Sequence, residues 1–267
     1  MSSPTTPTPP PPPPFPPAHA LAPEEPSGPG LSEPARLINT FFAPRKTFTD
    51  LKRNPSWWVP WAISAVLCVI YAIVVVPRID IQRFLQAQID RSPSAQRRME
   101  QLPPEQRQQV MTMQAKGTKV TFYAFGAVIL VGGLIFAAVL MAVFNFLLGS
   151  EVPFGRSMAI VFYSFFPLNL ATILLMISVL VSADPNTIDL TNPMPTNPAF
   201  FMDPTGNKFL YGIARNLDIF RLWAVALLGL GFSAASSNRK PSVSTGITTM
   251  FVVFALLTLI TAVWGSM

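Results

Sequence analysis

Residues 216–232, NLDIFRLWAVALLGLGF, decide how often this chain crosses a membrane. Asp218 and Arg221 stand three apart at the start, and the rest is almost wholly apolar. About 20 residues rising 1.5 Å each are needed to cross a 30 Å hydrocarbon layer. The apolar run 219–235 is therefore marginal, and it spans only if Arg221 snorkels back toward the headgroups. Arg at the centre of a span costs about 2.5–3.5 kcal/mol on the insertion scale but little at its edge. An (i, i+3) pairing with Asp218 adds only a few tenths of a kcal/mol. Two readings stand: a site for an ion, a substrate or a partner, or anchors that end a span. Anchoring accounts for both residues without a site, because neither is deep and intramembrane charges are functional by default only when buried.

Working outward, four more apolar segments flank this one, at about 57–77, 120–148, 158–181 and 247–264. Half of all residues are hydrophobic and 12% are charged, against about a quarter charged in soluble domains. Long apolar runs separated by charged, proline-rich connections give an all-α membrane protein, a bundle of five transmembrane helices over residues 36–267. The formal charge of +6 suits a bilayer with anionic headgroups as partner. Nucleic acid is excluded as a partner, since no basic helix or aromatic-basic platform is present. Cys68 is the only cysteine and His19 the only histidine, so intrachain disulfides, cysteine metal sites and histidine dyads are all ruled out. No P-loop, G-x-S-x-G, H-E-x-x-H or dinucleotide glycine pattern occurs. The reading is non-enzymatic, with no catalytic, cofactor-binding or metal residue and no cofactor.

Residues 1–35, opening MSSPTTPTPPPPPPFPP, hold nearly half of the prolines and form a disordered proline-rich tail of polyproline II character. The tail has no basic start and apolar core, so it is not a signal peptide. It is a spacer, or alternatively a ligand for an aromatic groove. Next, Leu37, Ile38, Phe41 and Phe42 make a short amphipathic turn or two, and Phe48 and Leu51 form a second apolar point among Arg45, Lys46, Lys52 and Arg53. Such a segment is expected to lie in the headgroup plane, with Trp57, Trp58 and Trp61 marking the interface.

The connection 78–118 carries Ile81, Leu85 and Ile89 at every fourth residue, a surface-lying helix, and helix starts at Ser92-Pro93 and Pro103-Pro104. Residues 183–218 hold five prolines and are expected to be extended and irregular. The small residues Gly133 and Ala137, and Ala138 and Ala142, allow close helix approach in the second span. Pro167 interrupts the third span and frees a carbonyl that a neighbour or Asn169 is placed to satisfy. Broken helices with polar residues at mid-depth also build transporter sites. That alternative uses Asn145, Pro167, Asn169 and the Asp218–Arg221 pair along a path. Against it, the first, second, third and fifth spans lack a carboxylate, which a proton- or cation-coupled carrier normally needs.

Lysine and arginine leave the orientation open, with eight on the side of the N-terminus and eleven on the other. In order, FFAPRKTFTDLKRNPSWWVP, GRSMAIVFYSFFPLNL and NLDIFRLWAVALLGLGFS resemble the Yip-type membrane proteins (Ypt-interacting protein domain). The resemblance covers about residues 35–267. Its pattern of Pro then Phe before the first span is met by Pro44 and Phe48, its Tyr and Pro in the third span by Tyr163 and Pro167, and its Asp-x-Phe-x-x-Trp start to the fourth by Asp218, Phe220 and Trp223. It implies five spans, a cytosolic N-terminus and an adaptor-like role resting on contacts with membrane proteins or on self-association. The Asp-Leu-Tyr-Gly-Pro and Gly-Tyr motifs of eukaryotic members are absent, so small-GTPase binding is not carried over. The chain looks more like the bacterial branch, which implies the bacterial cytoplasmic (inner) membrane. The function read from the sequence is that of a membrane organiser or adaptor.

Overall fold

The computed structural model describes residues 29–238 and 240–266, leaving the side chain of Pro93 aside. Residues 1–28, and with them most of the expected tail and His19, lie outside the described residues. The tail's expected end at residue 35 is too late. Ser32 already caps a helix, its hydroxyl accepting from the Ala35 amide at 3.4 Å.

Eleven α-helices make up the described chain, and no strand occurs among the described residues. Two short helices come first, α1 (Glu33–Phe42) and α2 (Pro44–Asp50), followed by α3 (Trp58–Val75), which continues to Arg78. On the far face lie α4 (Ile81–Asp90) and α5 (Pro93–Glu100). The chain returns through α6 (Pro104–Ala142), which ends in a π-turn at Val143–Leu147. A third crossing is split into α7 (Phe154–Phe165) and α8 (Leu168–Val181). After a long far-face loop come α9 (Lys208–Asn216), α10 (Ile219–Ala235) and α11 (Val243–Ser266). Four helices are long and apolar enough to span, and α9 and α10, bent 58° to one another, bring the number to five where the pair is counted as one broken span.

The helix starts at Pro93 and Pro104 appear as expected, with proline in the first turn where its missing N–H costs nothing. Apolarity bounds a span but not a helix, so α6 starts sixteen residues before the expected 120 and carries a polar stalk. The loop 183–218 is irregular only in its first part. Its prolines all precede Asn207, which caps α9 by accepting from the Leu210 amide at 3.0 Å. Helix α4 does not lie alone on a surface. Ile81 is buried and Leu85 packs with Val75, Ile79 and Ala115, while Asn186 and Asp189 of the far-face loop hold Asp80 and Arg91.

The core gathers around α7 and α10. Residues 157–164 of α7 are buried without a break, and α10 buries nine residues. Phe144 stacks on Phe232 with centroids 4.4 Å apart, and Leu228, Ile160 and Tyr163 pack around them. Most of the large exposed apolar side chains instead sit on α3, α6, α8 and α11, for instance Ile73, Ile135, Ile177 and Ile260, as a lipid-facing belt requires.

Glycine sets the closest helix crossing. A Cβ on Gly229 would stand 2.5 Å from the Ile247 Cα and 2.6 Å from the Gly246 carbonyl oxygen, so α10 and α11 touch backbone to backbone. The expected pairs behave differently: Gly133 faces the Phe162 ring and Ala137 is buried, whereas Ala138 is exposed. Replacing Gly229 by Leu is expected to cost about 1–3 kcal/mol through overpacking. Gly132→Leu, at a position with no atom within 4 Å of a new Cβ, is expected to leave the thermal midpoint of the purified protein within error.

Candidate functional site

Two constellations hold most of the residues singled out by sequence, one on the face that carries the N-terminal helices and one at the opposite lip. The first is built on Arg36. Its Nε donates to Asp50 Oδ2 at 2.7 Å and its Nη1 to Glu33 Oε1 at 3.0 Å. The Arg36 side chain is 3% exposed and that of Asp50 9%. Glu33 Oε2 in turn accepts from the Tyr163 hydroxyl at 2.7 Å, and Asp50 Oδ1 accepts from the Leu31 amide at 3.2 Å. The Arg36 carbonyl receives the hydroxyls of both Thr40 and Thr47, at 2.8 and 2.9 Å. Every charge in the cluster thus has a partner, the condition for burying it at tolerable cost.

This arrangement packs one face of the expected amphipathic segment against the bundle. Helix α1 turns Arg36 and Thr40 inward and leaves Ile38 and Phe42 exposed at 60% and 85%. Phe48, fully buried, lies against Gly231, where a Cβ would come within 3.0 Å of its ring. Phe41 meets Trp223 edge to face at 5.6 Å and Phe166 at 5.8 Å. Gly231 and Trp223 are eight residues apart in α10, so α1 and α2 follow that helix for about 12 Å. Pro44 opens α2 at its first position. Of the three tryptophans expected at the interface, only Trp58 is exposed. Trp57 stacks on Phe162, and Trp61 Nε1 donates to the Gly126 carbonyl at 3.1 Å.

The same face is stapled by side chains that sequence reading did not select. Arg156 Nη1 donates to the Ala235 carbonyl at 3.0 Å, satisfying the end of α10, and Nη2 to the Lys52 carbonyl at 3.4 Å. Asn238 donates to the Gly149 carbonyl at 2.6 Å. A lone Arg at a helix start and an Asn in a short connection carry no motif, so only the fold reveals their partners.

At the opposite lip, Asp218 is the N-cap of α10. Its Oδ1 accepts from the Phe220 and Arg221 amides at 3.0 and 3.1 Å, and its Oδ2 accepts from the Thr196 hydroxyl. The Thr196 carbonyl also receives the Ile219 amide at 3.0 Å. Arg221 does not form an ion pair with Asp218; its Nη1 donates to Asn216 Oδ1 at 2.8 Å. Nearby, burial alone would raise the Asp189 carboxyl, but hydrogen bonds from Arg91 and Thr191 outweigh it and hold that carboxyl below its ordinary range.

The polar residues of the third span are occupied too. The Tyr163 carbonyl, which Pro167 leaves without its helical donor, takes the Phe166 amide at 3.2 Å in a tighter turn. Asn169 is not its partner, as its amide donates to Ser64 Oγ of α3 at 2.8 Å. Asn145 both donates to the Val152 carbonyl and accepts from its amide, at 3.0 and 3.1 Å. Asn145, Asn169 and Asp218 are therefore bound in three separate places. Among the described residues no three His, Cys, Asp or Glu side chains are grouped to hold a metal.

Comparison with known proteins gives a single assignment. The family model described as the Yip1 domain matches residues 38–264. No curated protein and no solved structure matches the chain.

Because Asp218 serves as a cap, Asp218→Ala is expected to lower the stability of the purified protein by about 1 kcal/mol. Asp218→Asn, which can still accept from the same amides, is expected to recover most of it in thermal unfolding.

Proposed function

The chain belongs to the Yip1 domain family, and we propose that this multi-pass membrane protein works as a membrane organiser or adaptor, without chemistry of its own. Support comes first from how the polar residues are used. A carrier needs them to converge at mid-depth, but Asn145, Asn169 and Asp218 each serve a local structural bond. An adaptor needs a firm bundle with something to offer outside it. Ile38 and Phe42 provide that, an exposed apolar face on a helix whose other face is clamped by Arg36 and Thr40. The proline-rich residues 1–28 directly precede that helix in the sequence, so a partner that binds them is brought next to the same face.

The companions of this reading are membrane proteins, a second copy of the chain, or the anionic surface itself. We place the protein in the bacterial cytoplasmic membrane with its N-terminus in the cytosol. The support is the bacterial type of motif, with no Asp-Leu-Tyr-Gly-Pro sequence, and the family's usual orientation. Small-GTPase binding forms no part of the proposal.

The test compares tagged wild type with Ile38→Ser/Phe42→Ser and with a chain lacking residues 2–28, each purified from native membranes at matched amounts. Both variants are expected to keep the wild-type thermal midpoint while at least one loses specific companion proteins. Identical companions for all three would overturn the proposal. So would saturable solute flux by the wild type in proteoliposomes.

A further inference from the structure

Beside the lip of α10 the structure holds a feature that the adaptor reading does not use. A cavity of about 480 Å³ opens between α9, the start of α10 and the end of α11. Arg91, Lys208, Arg215 and Arg221 line it, and no carboxylate does. Three of these cations already have a hydrogen-bond partner, Arg91 with Asp189 at 3.0 Å, Lys208 with the Arg91 carbonyl at 3.2 Å and Arg221 with the neutral Asn216 side chain at 2.8 Å. Among the described residues neither Arg215 nor Arg221 has a carboxylate at ion-pair distance. The acid nearest in sequence, Asp218, spends its oxygens on the helix cap and Thr196.

Directly below runs a second, narrower cavity of about 170 Å³. It is apolar, walled by Phe165, Val225, Leu228, Phe254 and Leu257 among others, and it lies between α7, α8, α10 and α11. Asn216 and Arg221 border both cavities. Gly265 and Thr261 line the upper cavity, and the neighbouring Trp264 is 78% exposed, the position an indole takes at the headgroup level. Close approach of α9 to α11 shapes the wall, since a Cβ on Gly212 would meet Ala262 at 3.2 Å.

We propose that these two cavities form one binding site for an anionic phospholipid of the leaflet opposite the N-terminal helices. Arg215 and Arg221 take the phosphate and any further negative charge of the headgroup, and the slot beneath Arg221 takes part of one acyl chain. A free phosphate would need only the upper cavity, whereas the apolar slot opening under the same arginine fits an amphiphile. A zwitterionic lipid fits less well, because its ammonium group would enter a cavity lined by four cations and no acid. The site does not depend on the adaptor reading.

The test uses the full chain in mild detergent and counts bound lipid by native mass spectrometry. The probes are phosphatidylglycerol, phosphatidylcholine with the same chains, and glycerol phosphate. Wild type is expected to bind phosphatidylglycerol at least about tenfold more tightly than phosphatidylcholine. Arg215→Gln/Arg221→Gln is expected to weaken phosphatidylglycerol about 30-fold, two basic side chains at the usual worth near an anionic surface, with phosphatidylcholine unchanged. Leu257→Trp, filling the slot, is expected to weaken phosphatidylglycerol as well. Should the double variant fail to fold, Arg215→Gln alone carries the test through a weaker loss of the same lipid. Equal binding of the two lipids by wild type, or undiminished phosphatidylglycerol binding in the folded arginine variant, overturns the site. Displacement of phosphatidylglycerol by an equimolar amount of glycerol phosphate overturns the lipid and leaves a free-anion site.

Discussion

The ion pair between Arg36 and Asp50 is the constraint on which the N-terminal half of this structure depends. It is almost wholly buried, and a buried charge left without its partner costs about 3–5 kcal/mol. Arg36 and Asp50 are fourteen residues apart in the chain, so the pair folds α1 back against α2. Through Glu33 the same guanidinium reaches the Tyr163 hydroxyl in α7, and through α2 it brings Phe48 onto Gly231 of α10. The helices ahead of the first span are thereby part of the bundle.

A second consequence concerns α10. Judged as an isolated span it is too short, and it carries Arg221 in its first turn. In the bundle it is enclosed by α2, α7 and α11, with small residues at its contacts. A helix surrounded by protein need not satisfy the apolarity that lipid demands of an outer helix, and its small side chains permit the backbone contact at Gly229. Helix α9 adjoins it at the far face, bent by 58°, and the two together reach the length of a span. The bend also opens the cationic cavity beside Arg215 and Arg221, so a packing solution and a candidate lipid site arise from one break in the chain.

Much of this was legible in the sequence. Five apolar runs fixed the all-α membrane class, and the proline pairs at 92–93 and 103–104 marked helix starts because proline is tolerated there. The capping role of Asp218 is consistent with the anchoring reading, since an acidic residue before an apolar run is a common helix start. Other features were hidden for physical reasons. Periodicity shows that α1 has two faces but does not say which one meets protein when the outside is lipid, and here Arg36 and Thr40 face in. Of the two carboxylates that hold Arg36, Glu33 lies at (i, i+3) in the same helix, but Asp50 is fourteen residues away in the next one, a distance no helical spacing marks. Helix α9 was masked by the prolines before it, although Asn207 and the spacing of Phe209, Leu210 and Ile213 offered a signal. The crossing at Gly229 and Gly246 joins two segments, and single-sequence spacing registers only pairs within one helix.

Hydrogen exchange of the purified full chain tests the central claim, that the pre-span helices belong to the folded bundle. In wild type the amides of residues 47–51 are predicted to exchange as slowly as those in the middle of α10. In Asp50→Ala they are predicted to exchange orders of magnitude faster while α10 stays protected. Exchange of residues 47–51 in wild type at the rate of an exposed surface helix would contradict the account.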